Sequence, residues 1–196
     1  MMNTRTGVAV TLPVYVRICM ELYEELASRA KEVYQKALEL LDRGDYFNSA
    51  EKGWCAVELM RKALLVAVGI PLDKAKSLDF SMPIFARILK GLGRRDLLKE
   101  YYRFDSCLHI RGFYEMISTE DEISITLQEL GSWLDDMEEL VRSLSGVDLS
   151  SIVEVMDKCF ELKRKILKTS IEYHNMLGKI RHAIQQALSN LALQRE

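Results

Sequence analysis

The stretch GDYFNSAEKGW, Gly44 to Trp54, decides the fold. Glycine reaches the left-handed backbone conformation that closes a helix, and Asp45 or Asn48 can cap the next helix by accepting its unpaired N–H groups. One helix therefore ends near Arg43 and another starts near Tyr46. A connection this short turns the second rod back antiparallel against the first.

Upstream, Thr11 and Pro13 suit a helix start, because proline in the first turn gives up an N–H that has no partner there. Tyr15, Ile18, Cys19, Leu22, Leu26, Ala30, Val33, Ala37, Leu40 and Leu41 then recur every three or four residues, which predicts one buried helical face. Downstream, Phe47, Ala50, Trp54, Val57, Ala63 and Leu64 are placed on the matching seam of a helix running to Val68, and Gly69 and Pro71 end it. A polar crossing between Asp73 and Asp79 leads to Ser81 and Pro83, read as the start of a brief helix to Lys90 that Gly91 and Gly93 break. A third long helix is expected from Asp96 to Tyr114. Thr119 and Glu122 have capping-box spacing, and a fourth helix follows to Leu144 with Ile125, Leu127, Leu130, Trp133, Leu134, Met137 and Leu140.

The expected fold is all-α: an antiparallel four- to five-helix up-and-down bundle over residues 12–144, preceded by an arm, 1–11, and followed by a C-terminal helical extension, 148–196. In that extension Ile152, Met156, Cys159, Ile166, Tyr173, Leu177, Ile180, Ile184, Ala187 and Leu191 follow a near-heptad rhythm. One long helix or a hairpin satisfies it. The stripe needs a cover, either the bundle itself or a second copy in a homodimer. A tetratricopeptide array is disfavoured because no second copy of the helix pair follows.

Composition supports helices over strands. Hydrophobic residues make up 48% of 196, enough for a sizeable core, with only 10 glycines and 3 prolines to punctuate them. The net charge of −2 carries no global positive field, so any nucleic-acid site has to be local. Cys19, Cys55, Cys107 and Cys159 lie on or beside apolar stripes without CxxC spacing, as buried free thiols in a reducing cytoplasm would. The apolar run from Gly7 to Met20 is broken by Arg17 and reads as an arm entering a helix rather than a signal peptide. No run is long enough to span a membrane.

Gly44-Asp45, the small Ala50, then Glu51, Lys52 and Trp54, followed by LHIRGFYE from Leu108 to Glu115 on a later helix, together resemble the archaeal paREP family, a branch of the HEPN superfamily of helical bundles. The resemblance covers about Leu22 to Leu144. It implies a bundle that binds nucleotide or RNA, with metal-independent RNA cleavage as one activity of the wider group. Many HEPN RNases carry an arginine and a histidine four to six residues apart at a cleft between two protomers, and Arg103 and His109 bracket FDSCL here. In that role His109 would move protons, Arg103 would hold the scissile phosphate, and Asp105 would orient either side chain. The alternative is a non-enzymatic oligomerisation or interaction module, for example the partner of a nucleotidyltransferase.

Other residues carry weaker chemistry. Trp54 and Tyr114 can stack bases, Lys52 and Arg111 can hold phosphates, and Glu115 completes the expected ligand-binding set. Each also has a structural reading: Trp54 as core, His109 as a histidine donating to a backbone carbonyl, and Arg103 as an ion-pair partner of Glu100 or Asp96. Arg94 and Arg95 after Gly93 lack the P-loop pattern and read as a solvated basic turn. His174 and His182 are too far apart for ligands on adjacent turns, and no metal-ligand spacing or nucleophile elbow occurs, so neither a metal nor a cofactor is expected.

Overall fold

The computed structural model describes residues 14–144 and 178–186. Seven helical segments run from Val14 to Leu144: α1 (Val14–Asp42), α2 (Tyr46–Ala67), α3 (Leu72–Lys76), α4 (Leu78–Gly91), α5 (Arg95–Phe104), a π-helical stretch (Asp105–Tyr114) and α6 (Glu120–Leu144). Residues 178–186 are also helical. No strand occurs among the described residues, and the protein is an all-α helical bundle.

The Gly44 hinge forms as its chemistry requires. Its φ is 75°, and the Gly44 and Asp45 N–H groups donate back to the Leu41 and Leu40 carbonyls at 2.9 Å each, satisfying the end of α1. Asp45 then accepts from the Asn48 N–H and side-chain amide, capping α2. Buried Ala30 and Ala37 on α1 and Ser49 and Ala50 on α2 are small enough for close approach, and the Ser49 hydroxyl donates to the Ala37 carbonyl at 2.8 Å. Two long rods thus pair along their small faces.

Helix α2 is the axis of the fold: it touches each of the other six segments between Val14 and Leu144. Its sequence from Ser49 onward is correspondingly apolar around most of its circumference, with Ala56, Val57, Met60, Ala63, Leu64 and Leu65 all shielded from solvent. Helix α6 contributes Ile123, Leu127, Leu130, Leu134, Met137 and Val141, and its capping box closes with Thr119 Oγ1 accepting from the Glu122 N–H while Glu122 Oε2 accepts from the Thr119 N–H. Ile180 and Ile184 bury in the same core, so this part of the C-terminal stripe is covered within the chain.

Four expectations change. Phe47 is 40% exposed, because it falls out of phase with the core-facing series Tyr46, Ser49 and Ala50. Ile125 is 55% exposed; it falls out of phase with the buried series Ile123, Thr126, Leu127 and Leu130. The crossing after Pro71 contains α3, and α4 begins at Leu78, so Pro83 lies inside a helix and Ser81 is a buried hydrogen-bonding residue rather than a cap. The third long rod is not one α-helix but α5 followed by the π stretch. The side chains of Tyr15, Ile18 and Cys19, the arm 1–11, Cys159, His174 and the extension apart from 178–186 lie outside the described residues.

Candidate functional site

The site grows from the junction of α5 with the π stretch. Leu97, Leu98, Tyr101 and Phe104 bury one face of α5, and from Asp105 the backbone widens to i→i+5 hydrogen bonding, with the Glu115 N–H still donating to the Ile110 carbonyl at 2.8 Å. Such registers are rare, usually brief, and concentrated at functional sites. Here the stretch lies against α2 through glycine. A Cβ on Gly112 would stand 2.7 Å from the Cys107 carbonyl oxygen and 3.0 Å from Ala50 Cβ, so only glycine allows this approach.

That approach sets the aromatic groups in a row. The His109 ring stacks on Trp54, with centroids 4.9 Å apart and planes 21° from parallel, and Tyr114 meets the imidazole in an edge-on arrangement at 4.8 Å. Trp54 also contacts Tyr101 at 5.5 Å. Trp54 is buried and His109 half-buried, while Tyr114 is 68% exposed, so the row leads from core to solvent. Asp105 is half-buried beside it and interacts electrostatically with His109 and Glu58. Burial raises its carboxyl above the ordinary aspartate range; the neighbouring Glu58 charge adds to that, and His109 opposes it.

Beneath the row is a polar network that sequence reasoning missed. Arg61, 0% exposed, donates to both Glu58 oxygens at 2.8 and 2.9 Å, to Ser81 Oγ at 2.5 Å and to the Ala75 carbonyl at 3.2 Å. The Tyr101 hydroxyl donates to Glu58 Oε1 at 2.9 Å. Burial pushes the Glu58 carboxyl up, but Arg61, Tyr101 and Lys62 outweigh it and the net shift is downward. Burial, then the Glu58 charge, drives the Tyr101 phenol far above its ordinary value, so it stays a hydrogen-bond donor. One sequence signal was present: Glu58 and Arg61 interrupt the apolar run AVELMRKALLVAV one helical turn apart.

The structure gathers Trp54, His109, Tyr114 and Asp105 and sends the expected cations elsewhere. Arg103 pairs with Glu100 and with Glu129 of α6 and lies over the Phe104 ring at 5.1 Å. Arg103 and His109 share no partner among the described contacts: the guanidinium faces α6 and the imidazole faces α2. Arg111 pairs with Glu122 at 3.3 Å, Lys52 with Glu51 at 3.5 Å, and Glu115 is exposed just beyond the π stretch. Arg94 is held by Asp96 and Asp136. Cys55 and Cys107 are half-buried free thiols. A separate cleft between α1 and α6 is bridged by Lys31, which pairs with Asp135 at 2.9 Å and Glu138 at 2.6 Å, so its charges already satisfy one another.

Among the described residues, no group of three His, Cys, Asp or Glu side chains is placed to hold a metal ion, and no helix is long and apolar enough to cross a membrane. What the site offers is a stacking surface, an imidazole and a carboxylate with a raised pKa. Fold and site define an all-α bundle organised on a central helix, with an aromatic cluster and a neighbouring carboxylate where a π-helical stretch meets it.

The Archaeal PaREP1/PaREP8 family matches residues 25–131, more than half of the chain, and the chain belongs to that family. The matched span takes in α2, α5, the π stretch and the first half of α6, and with them Trp54, Asp105, His109 and Tyr114. No curated protein and no solved structure matches the chain.

Proposed function

We propose that this chain is a HEPN-like, cytoplasmic bundle that binds nucleotide or single-stranded RNA at the cluster formed by Trp54, His109, Tyr114 and Asp105. The observation that carries the reading is the His109 ring stacked on Trp54, with the exposed Tyr114 extending the row into solvent. Aromatic faces receive bases whatever their sequence, at about 1–3 kcal/mol per stacked base. The pairing of Arg103 with two carboxylates favours binding over cleavage, because a phosphate would have to displace both. Where cleavage accompanies binding, His109 is the proton-transfer group and Asp105 its neighbour. Titration of a labelled single-stranded RNA by fluorescence anisotropy tests the reading. Tyr114→Ala and His109→Ala should each weaken binding about tenfold, and affinities equal to wild type overturn it.

A second reading rests on a different observation. Ile110, Tyr114, Met116 and Ile117 are all exposed at the end of the π stretch and in the loop after it, an apolar patch of the kind that marks contacts between proteins. On this reading the chain is an interaction module, assembling with a second copy or with a nucleotidyltransferase-type partner. Solution mass of the full chain decides the homodimer form: a dimer that Ile117→Lys dissociates supports it, and a monomer at all concentrations excludes it.

A further inference from the structure

We propose that the corner joining α4 to α5 is a phosphate-binding surface for the backbone of single-stranded RNA, formed by Arg87, Lys90, Arg95 and Lys99 and leading along α5 to the exposed ring of Tyr102. For the nature of its ligand it rests on the RNA-binding reading above, and it adds a second place of contact. The backbone fixes this corner. Helix α4 ends where the Gly93 and Arg94 N–H groups donate back to the Lys90 and Leu89 carbonyls at 3.2 and 2.8 Å, with Gly93 at a φ of 75°. Helix α5 begins at the next residue, Arg95, and packs against α4. Arg87 and Lys90 are neighbours at the end of α4 at a spacing of three, and Arg95 and Lys99 are neighbours at the start of α5 at a spacing of four. Each stands within five residues of the turn at 92–94.

None of the four cations has a carboxylate partner among the described residues. Asp96 and Asp136, which do reach this turn, are both held by Arg94, and Glu100 and Glu129 are held by Arg103. The charges also stand where folding alone disfavours them. Arg95 occupies the positive end of α5 and Lys99 repeats its charge one turn on, so the helix dipole and their mutual repulsion both oppose them. Arg87 is half-buried, and its Nη1 is the one buried side-chain polar atom among the described residues without a hydrogen-bond partner. A partly desolvated guanidinium with no counter-charge is stabilised by an anion. Local conflicts gathered at one corner mark a functional surface, and a nucleic-acid backbone supplies several anions to it at once.

Ring contacts tie the corner to the aromatic cluster. Arg95, Lys99 and Tyr102 recur at i, i+4 and i+7 on α5, opposite its buried face of Leu97, Leu98, Tyr101 and Phe104. Tyr102 is exposed, and its ring meets Tyr101 at 5.6 Å; Tyr101 meets Trp54 at 5.5 Å, and Trp54 stacks on His109, which contacts Tyr114. Tyr102 and Tyr114 are therefore the two exposed ends of one unbroken run of rings. A strand held by its phosphates at Arg95 and Lys99 brings its next base to Tyr102.

The test is the salt dependence of RNA binding by the full chain, read by anisotropy with a fluorescein-labelled oligouridine of about 12 nucleotides from about 50 to 200 mM potassium chloride. Each neutralised phosphate contributes about 0.7 to the logarithmic salt slope of a single strand. Lys90→Gln, Arg95→Gln and Lys99→Gln combined should therefore flatten the slope by about 2 and cost at least about tenfold in affinity at the lowest salt. Tyr102→Ala should weaken binding about tenfold with the slope unchanged, as stacking without charge requires. Arg87→Met separates binding from folding: its melting temperature should hold or rise while RNA affinity falls. A lower melting temperature with affinity unchanged overturns the assignment of Arg87. RNA bound by the triple variant with wild-type affinity and slope overturns the corner and leaves the aromatic reading standing. Loss of poly-glutamate binding in that variant, with RNA binding unaffected, overturns it in favour of an acidic peptide. No RNA bound by the wild-type chain overturns both readings.

Discussion

The Tyr101 hydroxyl donates to the Glu58 carboxylate at 2.9 Å, tying α5 to the central helix, while the same tyrosine ring contacts Trp54 of the aromatic cluster. Glu58 is simultaneously gripped at both oxygens by Arg61, whose remaining donors reach Ser81 on α4 and the end of α3 at Ala75. Four helices therefore meet at the Glu58–Arg61 pair, and the rigidity of the floor beneath the aromatic cluster depends on it.

Removing one member of such a network strands the others. Arg61→Ala should lower unfolding free energy by about 3–5 kcal/mol, because it leaves Glu58 in a poorly solvated position without its counter-charge. Tyr101→Phe removes a single hydrogen bond to a charged acceptor and should cost about 1.5–3 kcal/mol. Urea unfolding followed by circular dichroism measures both. An Arg61→Ala loss smaller than that of Tyr101→Phe would mean the network does not hold the floor.

Gly112→Ala sets two effects against each other. Alanine normally gains about 1 kcal/mol over glycine inside a helix. Here the new methyl would sit 2.7 Å from a backbone carbonyl and 3.0 Å from Ala50, neither of which can turn aside. Overpacking of about 1–3 kcal/mol should win, so the melting temperature falls. The π stretch should also withdraw from α2, changing the fluorescence of Trp54 as His109 leaves its face. A variant more stable than wild type would show that the contact yields.

How much of this was legible follows from the range of each signal. The Gly44 hinge, the Asp45 cap and the Thr119–Glu122 box are local devices fixed by a few adjacent residues, and each reads directly from the sequence. The α6 stripe was legible except at Ile125, which is apolar but out of phase. Hidden were the features that depend on a second element. Nothing adjacent to Asp105 announces that the helix widens there, since the register follows from how closely Gly112 meets Ala50 on another rod. Ser81 looked like a cap because its partner Arg61 is distant in sequence. The spacing of Arg103 and His109 was visible, but spacing along the chain does not reveal that one faces α6 and the other α2.

Asp105→Asn should change the pH dependence of stability. The folded-state pKa of Asp105 is raised, burial being the largest cause, so ionising it opposes folding. Its favourable contribution is complete below the unfolded value of about 3.9 and is lost as pH rises through the folded value. The asparagine variant should therefore gain stability relative to wild type as pH rises from about 4 toward neutrality, and match it most closely in acid. Glu58 has the opposite sign: its lowered folded pKa gives stability that is lost as pH falls through that value. Urea midpoints of the two proteins across this range make the comparison, and a difference independent of pH would remove Asp105 as its source.

Arg103 and His109 should separate cleanly when each is replaced by alanine. The Arg103 ion pairs with Glu100 and Glu129 are partly solvent-exposed, and such pairs contribute about 0–1 kcal/mol, so Arg103→Ala should be close to neutral for stability. Because its guanidinium faces α6, it should also leave RNA affinity within about twofold of wild type, less than the loss of one stacked base. His109→Ala removes the ring that contacts both Trp54 and Tyr114 and should weaken binding about tenfold, with a stability loss of at least the 0.5–1.5 kcal/mol of one aromatic pair. Anisotropy titrations and urea unfolding of both variants give the four numbers. If Arg103→Ala lost affinity in parallel with His109→Ala, the guanidinium would have to leave its carboxylates and join the imidazole on RNA. The cluster would then be a two-residue phosphate site, and cleavage rather than binding alone would become its expected activity.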